Sequence, residues 1–507
     1  MTRLELNRPA IADLSYTVAD WRGGYRSLTQ ELDYWIDDLE GEIPAELTGT
    51  LLRNGPGLFE INGQPVHHPF DGDGLVCAIA FQHGRAHFRN RYVQTEGYLA
   101  ERQAGKILYR GVFGTDKPGG WLANVLNLTL KNISNTNILY WGGKLLTLWE
   151  AAEPYRLDPA TLNTLGLDTL DGLLQPGDAF AAHPRIDPAS ELDNGAPCLV
   201  NFRIKPGLSS TITVMEFDPQ GTLLRQNHAT VPGFCFIHDF AITPHYSLFF
   251  QNPVTFNPLP FLAGLRSAGE CIRFHPDKPT RIVIIPRQPG TPAPAQTFEI
   301  PAGFVFHHAN AFEDGDELVI DSICYATLPT VDPDADFRET NFEALDPGQL
   351  WRFRVNLTTG TVTKSLLDGR CSEFPSLHPA LVGRSHRYLY LAATHAPTGN
   401  APHQAILKVD VQSGDRQLWS AAPWGYVGEP IFVPRNLDHT QVSGAEDDGW
   451  VLTLAYDARS ERSAVMILDA QTMQAIARLN LKHHVPYGLH GRFTPDCLGI
   501  DPENRET

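Results

Sequence analysis

The chain has 507 residues, 42% of them hydrophobic and 19% charged, a composition that supports large buried cores and excludes disorder. Its formal charge of −18 argues against nucleic acid and anionic lipid as partners, because both would be repelled at long range. Any membrane contact would have to be hydrophobic.

Seven cysteines (Cys77, Cys198, Cys235, Cys271, Cys324, Cys371, Cys497) include no close pair, so neither a disulfide framework nor a CxxC metal or redox site is expected. Met1 to Leu28 is broken by charges and lacks an apolar core, so no signal peptide is expected. No apolar run approaches the roughly 18 residues of a spanning helix, and a reducing cytoplasm is the expected compartment.

Forty-three glycines and 39 prolines punctuate short stretches rich in Val, Ile, Leu, Phe and Tyr, which predicts strands and turns. In chain order, Asn137–Glu150 reads as a hairpin on Gly142-Gly143, and Thr213–Arg225 as one on Asp218-Pro219-Gln220-Gly221. Phe304–Ile320 is a third, turning on Glu313-Asp314-Gly315-Asp316. A polar turn after an apolar strand recurs at Asp158, Asp218, Asn356, Asp410 and Asp469, with intervals of 60, 138, 54 and 59. One interval is about double the rest. Strand repeats of this length predict an all-β propeller, formed by residues 1–507 as a single domain. Unrelated β-turns are the competing reading.

Two stretches break the pattern. Trp121–Ile133 puts Leu122, Val125, Leu126, Leu130 and Ile133 at helical spacing, and Pro258–Ile272 does so with Leu259, Leu262, Leu265 and Ile272. They predict apolar helical insertions near 115–135 and 255–275, either a cap over one propeller face or plain core packing.

Four histidines sit in apolar or aromatic frames: His183 after Phe180-Ala181-Ala182, His238 between Ile237 and Asp239-Phe240, His307 after Phe304-Val305-Phe306, and His490 after Tyr487-Gly488-Leu489. With Glu373 and Glu429 they form a ladder, 183, 238, 307, 373, 429 and 490, with steps of 55, 69, 66, 56 and 61. On the inner strands of a propeller these positions would converge on the axis. Neutral imidazole ligates Fe, Zn, Cu or Ni, and carboxylates behind it fix its tautomer and offset the charge of the ion. Zinc would favour a closed tetrahedron, whereas six-coordinate Fe(II) would leave two positions for oxygen chemistry. No GxGxxG, P-loop, GxSxG or HExxH motif is present, and Asp71-Gly72-Asp73-Gly74 reads as a tight turn, since a calcium loop needs further acidic positions.

The chain resembles the carotenoid cleavage oxygenases, most closely their bacterial apocarotenoid-oxygenase branch. The resemblance runs through Leu52-Arg53-Asn54-Gly55-Pro56-Gly57, Phe70-Asp71-Gly72-Asp73-Gly74, Asn135-Thr136-Asn137, Leu148-Trp149-Glu150, Phe306-His307-His308-Ala309-Asn310, Glu429-Pro430-Ile431-Phe432-Val433-Pro434-Arg435 and Tyr487-Gly488-Leu489-His490-Gly491. It implies a seven-bladed propeller holding one Fe(II) on His183, His238, His307 and His490. Other members replace the second histidine of the FHHAN segment, which makes His307 the implied ligand there and not His308. The resemblance also implies carboxylates Glu150, Glu373 and Glu429 behind His238, His307 and His490 respectively, and Thr136 with its methyl beside an open position.

The implied reaction is cleavage of a conjugated C=C bond of an apolar polyene by O2 into two carbonyl products, a retinal-like aldehyde among them, with no organic cofactor. Phe113, Trp149, Phe236, Phe306 and Tyr325 are candidate walls of the substrate pocket, against ordinary core packing. A stilbene-cleaving dioxygenase is the alternative within the family, with Tyr98 and Lys131 as candidates to hold a phenol. A propeller that binds without catalysis is the alternative outside it. The apolar cap would allow peripheral membrane contact, and no protein partner is indicated.

Overall fold

A computed structural model describes residues 16–288, 295–330, 336–437 and 439–500. The part of the amino-terminal stretch before Tyr16 lies outside them.

The β-rich composition resolves into seven antiparallel sheets of four to six strands, with two short two-stranded pairs beside them, as a seven-bladed propeller. Seven strands, one per sheet, face the axis. They are β1 (Asn137–Trp141), β2 (Arg185–Asp187), β3 (Ala241–Ile242), β4 (Phe304–Asp314), β5 (Ser372–Ser376), β6 (Ile431–Pro434) and β7 (Gly491–Thr494).

The predicted turn repeat is the hairpin between the third and the fourth strand of a blade, counted from the axis. At each of its five positions the carboxylate or amide accepts backbone N–H groups just ahead of it, as Asp410 does from Gln412 and Ser413, and Asp469 from Gln471 and Thr472. The doubled interval spans the blade whose corresponding hairpin, after Thr280–Pro286, runs into residues outside the described set. Between blades, facing apolar surfaces interlock, for example Phe202, Phe240, Phe249 and Val283, all buried.

Both ends of the chain close the ring. β7 pairs with Gly49–Leu58 in the first sheet, with Leu51 opposite Phe493, while Leu39–Gly41 pairs with Ala475–Asn480 in the last.

The insertions differ from the expectation. α-Helix is confined to Trp121–Asn124 and Pro258–Leu262, with one 3-10 turn at Gly269–Cys271. The first helix ends at Val125, whose backbone has already left the helical region (φ −59°, ψ 133°), and Leu126 follows with a left-handed φ of 54° and donates its N–H to the carbonyl of Leu262. Gly264 sits so close to the first segment that an added Cβ would lie 2.6 Å from the carbonyl of Trp121. Two interlocked loops therefore form the cap, and Arg110, fully buried, binds both through the carbonyls of Asn124, Asn127, Phe261 and Arg266. Trp121, Leu122, Leu126, Leu128, Leu259 and Leu265 stay exposed on it.

The Asp71–Gly74 segment is a turn. Asp71 accepts the N–H groups of Val112, Phe113 and Thr115, and Asp73 pairs with Lys131. All seven cysteines are free thiols.

Candidate metal centre

His183 and His238 come just before β2 and β3, His307 lies in β4, and His490 immediately precedes β7. Glu373 lies in β5. Glu429 interrupts the inner edge of its blade, where Gly425–Val427 and β6 pair with different parts of Gly449–Asp457. Pro430 offers no N–H to continue that ladder. The strand alternation sends His308 the opposite way from His307: its Nδ1 meets Ser322 Oγ at 2.7 Å and its ring packs on Phe250.

The four imidazoles converge at the axis. Nε2 of His183 lies 2.8 Å from that of His238, His238 lies 3.1 Å from His307, and His307 lies 3.3 Å from His490. Glu150 bonds Nδ1 of His238, Glu373 bonds Nδ1 of His307 at 2.5 Å, and Glu429 bonds Nδ1 of His490 at 3.0 Å. A carboxylate accepts only, so each of those Nδ1 atoms carries the proton and, in the neutral ring, each Nε2 presents a lone pair. Among His238, His307 and His490 these lone pairs face one another at 3.1 and 3.3 Å and repel, and a cation among them removes the conflict. With a metal–nitrogen bond of about 2.1 Å, ligand atoms at right angles lie about 3.0 Å apart and tetrahedral ones about 3.4 Å apart. The spacings of 2.8–3.3 Å fall in the range that four donors around one ion require, and the residues suit a divalent transition metal.

The electrostatics differ from ring to ring. Burial and then the neighbouring imidazoles hold His183 well below the usual histidine range, and burial takes His490 down to about 4 against the pull of Glu429. At His307 burial acts downward, but the charge and hydrogen bond of Glu373 outweigh it and raise the ring. Burial alone would raise Glu373, yet His307, the N–H of Phe374 and the Tyr325 hydroxyl hold it at about 2.

Sequence reasoning missed the groups behind these carboxylates. Arg53 pairs with Glu429 at 2.5 Å and donates to Leu489 O at 3.1 Å. Asp239 lies 4.0 Å from Nδ1 of His183, the one ring without a bonded glutamate, and is held by Arg185 at 2.5 Å. Phe374 adopts φ 55° and packs against His307 and His490. Arg53 stands in a quoted motif and Asp239 adjoins His238, but neither position reveals its partner.

A cavity of about 640 Å3 opens over the histidines. All six pocket candidates line it: Phe113, Thr136, Trp149, Phe236, Phe306 and Tyr325. So do Phe70, Phe374 and Ile272, which the sequence did not single out, and Arg266, Gly269 and Glu270 from the cap. Thr136 donates its hydroxyl to Asn135 Oδ1 at 3.2 Å.

Tyr98 and Lys131 are absent from that lining. Lys131 is buried between Asp73 at 2.6 Å and Glu101 at 2.5 Å, and Tyr98 stacks on Tyr92. The phenol-holding role expected of them is therefore corrected: satisfying two interior carboxylates occupies the ammonium.

The family described as RPE65, retinal pigment epithelial membrane protein, matches residues 25–495. The chain belongs to that family. Its relatives include the apocarotenoid-15,15'-oxygenase of Synechocystis, 58% identical over 482 residues that cover 94% of this chain and 97% of the relative. The lignostilbene-α,β-dioxygenase isozyme III of Sphingomonas paucimobilis is 30% identical over 498 residues, 93% of this chain and 96% of that protein. The crystal structure of cobalt-substituted Synechocystis ACO superposes on this RPE65-family propeller with a TM-score of 0.92 at 57% identity, covering 95% of this chain and all of the other.

Proposed function

We propose that this chain is a non-haem Fe(II) dioxygenase that splits a conjugated C=C bond of an apocarotenoid with O2 into two carbonyl products, one of them a retinal-like aldehyde. One ion per chain is held by His183, His238, His307 and His490, with Glu150, Glu373 and Glu429 orienting the rings. The observation that carries this reading is the convergence of imidazole lone pairs at the floor of an aromatic cavity.

Bound iron supplies the one-electron chemistry that lets triplet O2 react with a closed-shell polyene. The C=C and O–O bonds break, two C=O bonds form, and each carbon receives one oxygen atom, so no external reductant is needed. The faces of Phe113, Trp149, Phe236 and Phe306 hold the polyene and stabilise positive charge developing along it. Tyr325 is turned the same way, because its hydroxyl donates to Glu373 at 2.7 Å and burial keeps that phenol protonated. With its hydroxyl spent on Asn135, Thr136 offers the site its methyl, which limits what approaches the open positions. No proton has to move, and the cavity agrees: each glutamate near the rings is held by a histidine, and Glu270 is held by Arg266 and the N–H of Ser267.

The apocarotenoid is favoured over a stilbene because the lining is rich in aromatic side chains and Lys131 and Tyr98 stand outside it. The enzyme works in the cytoplasm and takes its substrate from an apolar phase through the exposed cap residues, whose segment continues into the cavity wall at Gly269 and Ile272.

The test is to load the protein with Fe(II) anaerobically, add an apocarotenal or a hydroxystilbene, admit labelled O2 and identify the products by mass. Two aldehydes from the apocarotenal, each with one label, are expected. Products from the stilbene alone would overturn the assignment.

A further inference from the structure

Away from the histidine cluster the cavity wall contains two polar rings that nothing in the reaction uses, His67 and His68, and of these His68 is the one packed among the aromatic side chains. His68 precedes the turn Pro69–Asp71, and its Nδ1 accepts the backbone N–H of Phe70 at 3.1 Å. A backbone N–H can only donate, so Nδ1 is unprotonated and Nε2 carries the hydrogen. The ring lies 4.7 Å from Phe70 and 5.0 Å from Phe113, centroid to centroid, which fixes its plane within the aromatic wall. Burial pushes its pKa down to about 3, so the ring is neutral. Among the described residues no acceptor meets Nε2, although His68 lines the cavity. Phe113 in turn packs under Gly269 of the cap, where an added Cβ would meet its ring at 2.9 Å. The donor thus stands on the stretch of wall that runs toward the cap.

A donor held between aromatic rings with no protein acceptor loses its water when a polyene fills the cavity, and a pocket that supplies such a donor discriminates against ligands that leave it unpaired. We infer that His68 is a specificity-determining residue, its Nε2–H donating to an oxygen atom at the end of the polyene, a terminal carbonyl or a ring hydroxyl. This rests on the apocarotenoid reading above and adds that the enzyme selects oxygenated chain ends over hydrocarbon ones. A neutral donor serves either oxygen.

Equilibrium binding to the anaerobic protein, followed by tryptophan quenching, tests this without turnover. The probes are a β-apocarotenal, the same-length hydrocarbon without the carbonyl, and that hydrocarbon with a ring hydroxyl. The native protein is expected to bind at least one oxygenated probe about tenfold more tightly than the hydrocarbon, as one neutral hydrogen bond allows. The probe preferred identifies which end reaches His68. His68→Phe and His68→Leu remove the donor and should erase the preference, while His68→Gln, which can return an N–H, should restore part of it. Equal binding of all three probes by the native protein overturns the inference, and so does a preference that survives both donor-free variants. The same samples are then given iron and O2. Discrimination in binding with no cleavage of any probe would count against the dioxygenase reading and leave the role of His68 standing.

Discussion

Arg53 is the buried cation behind His490, and replacing it shows whether the groups behind the histidines hold them in place. Arg53→Met keeps the length of the side chain but leaves Glu429, whose side chain is 11% exposed, without its counter-charge. Removing one partner of a buried ion pair costs about 3–5 kcal/mol. Glu429 keeps the N–H of Gly491 at 2.8 Å and Nδ1–H of His490 at 3.0 Å, so the lower end, about 3 kcal/mol, is expected. Loss of an outer partner typically weakens metal binding by about 10–100-fold, since the ligand ring then samples orientations that miss the ion. The assay is competition for Fe(II) or Co(II) against a chelator under argon, with circular dichroism and a thermal melt to verify the fold. The melt should drop by several degrees, and Arg53→Lys, which keeps the charge without the bond to Leu489 O, should fall between. Metal affinity within twofold of the native value in a folded Arg53→Met protein would refute the reasoning.

Lys131→Met strands Asp73 and Glu101 together in the interior and should cost about 3 kcal/mol or more, read as a lower melting temperature. Its preference for apocarotenal over stilbene should not move, and a changed preference would contradict its exclusion from the cavity. Asp321 is buried, which raises its carboxyl, but two bonds from Arg352 at 2.7 Å each, together with His386, outweigh this and leave it depressed below 3.8. Its contribution is therefore complete above about pH 4 and is lost as pH falls through the depressed value. The melting difference between native protein and Asp321→Asn should be level from neutral pH to about 4 and shrink below, and a gap that widens on acidification would contradict the assignment. Leu122→Asp with Leu259→Asp, at positions 69% and 70% exposed, should spare folding and metal binding while reducing co-sedimentation with neutral phosphatidylcholine vesicles about tenfold. Unchanged sedimentation would remove the docking role of the cap.

What could be foreseen depended on how local its cause was. The blade repeat was legible because an aspartate or asparagine accepting the N–H groups two to four residues ahead is written into a few consecutive letters, as at Asp218 with Gln220 and Thr222. The histidine ladder was legible for a related reason: inner strands recur once per blade, so equivalent side chains recur with them. The length of helix in the cap was overestimated because Leu122, Val125 and Leu126 carry the same spacing whether or not the backbone stays helical. A left-handed Leu126 is imposed by the facing loop, not by its own neighbours. Arg53 and Glu429, 376 residues apart, meet only once the ring has closed, and no local pattern announces the pair.

That closure has a consequence for how the protein comes to hold its ion. The last inner strand begins one residue after His490 and completes a sheet begun by Gly49–Leu58. In chain order His183, His238 and His307 precede His490 by at least 183 residues, so three of the four candidate donors are synthesised well before the strand that completes the first sheet. On the proposed reading metal acquisition is a terminal step of biogenesis, and a chain without residues 488–507 lacks both the seam of the ring and one of the four candidate donors. On that reading bound metal per chain would report how many chains have closed the ring.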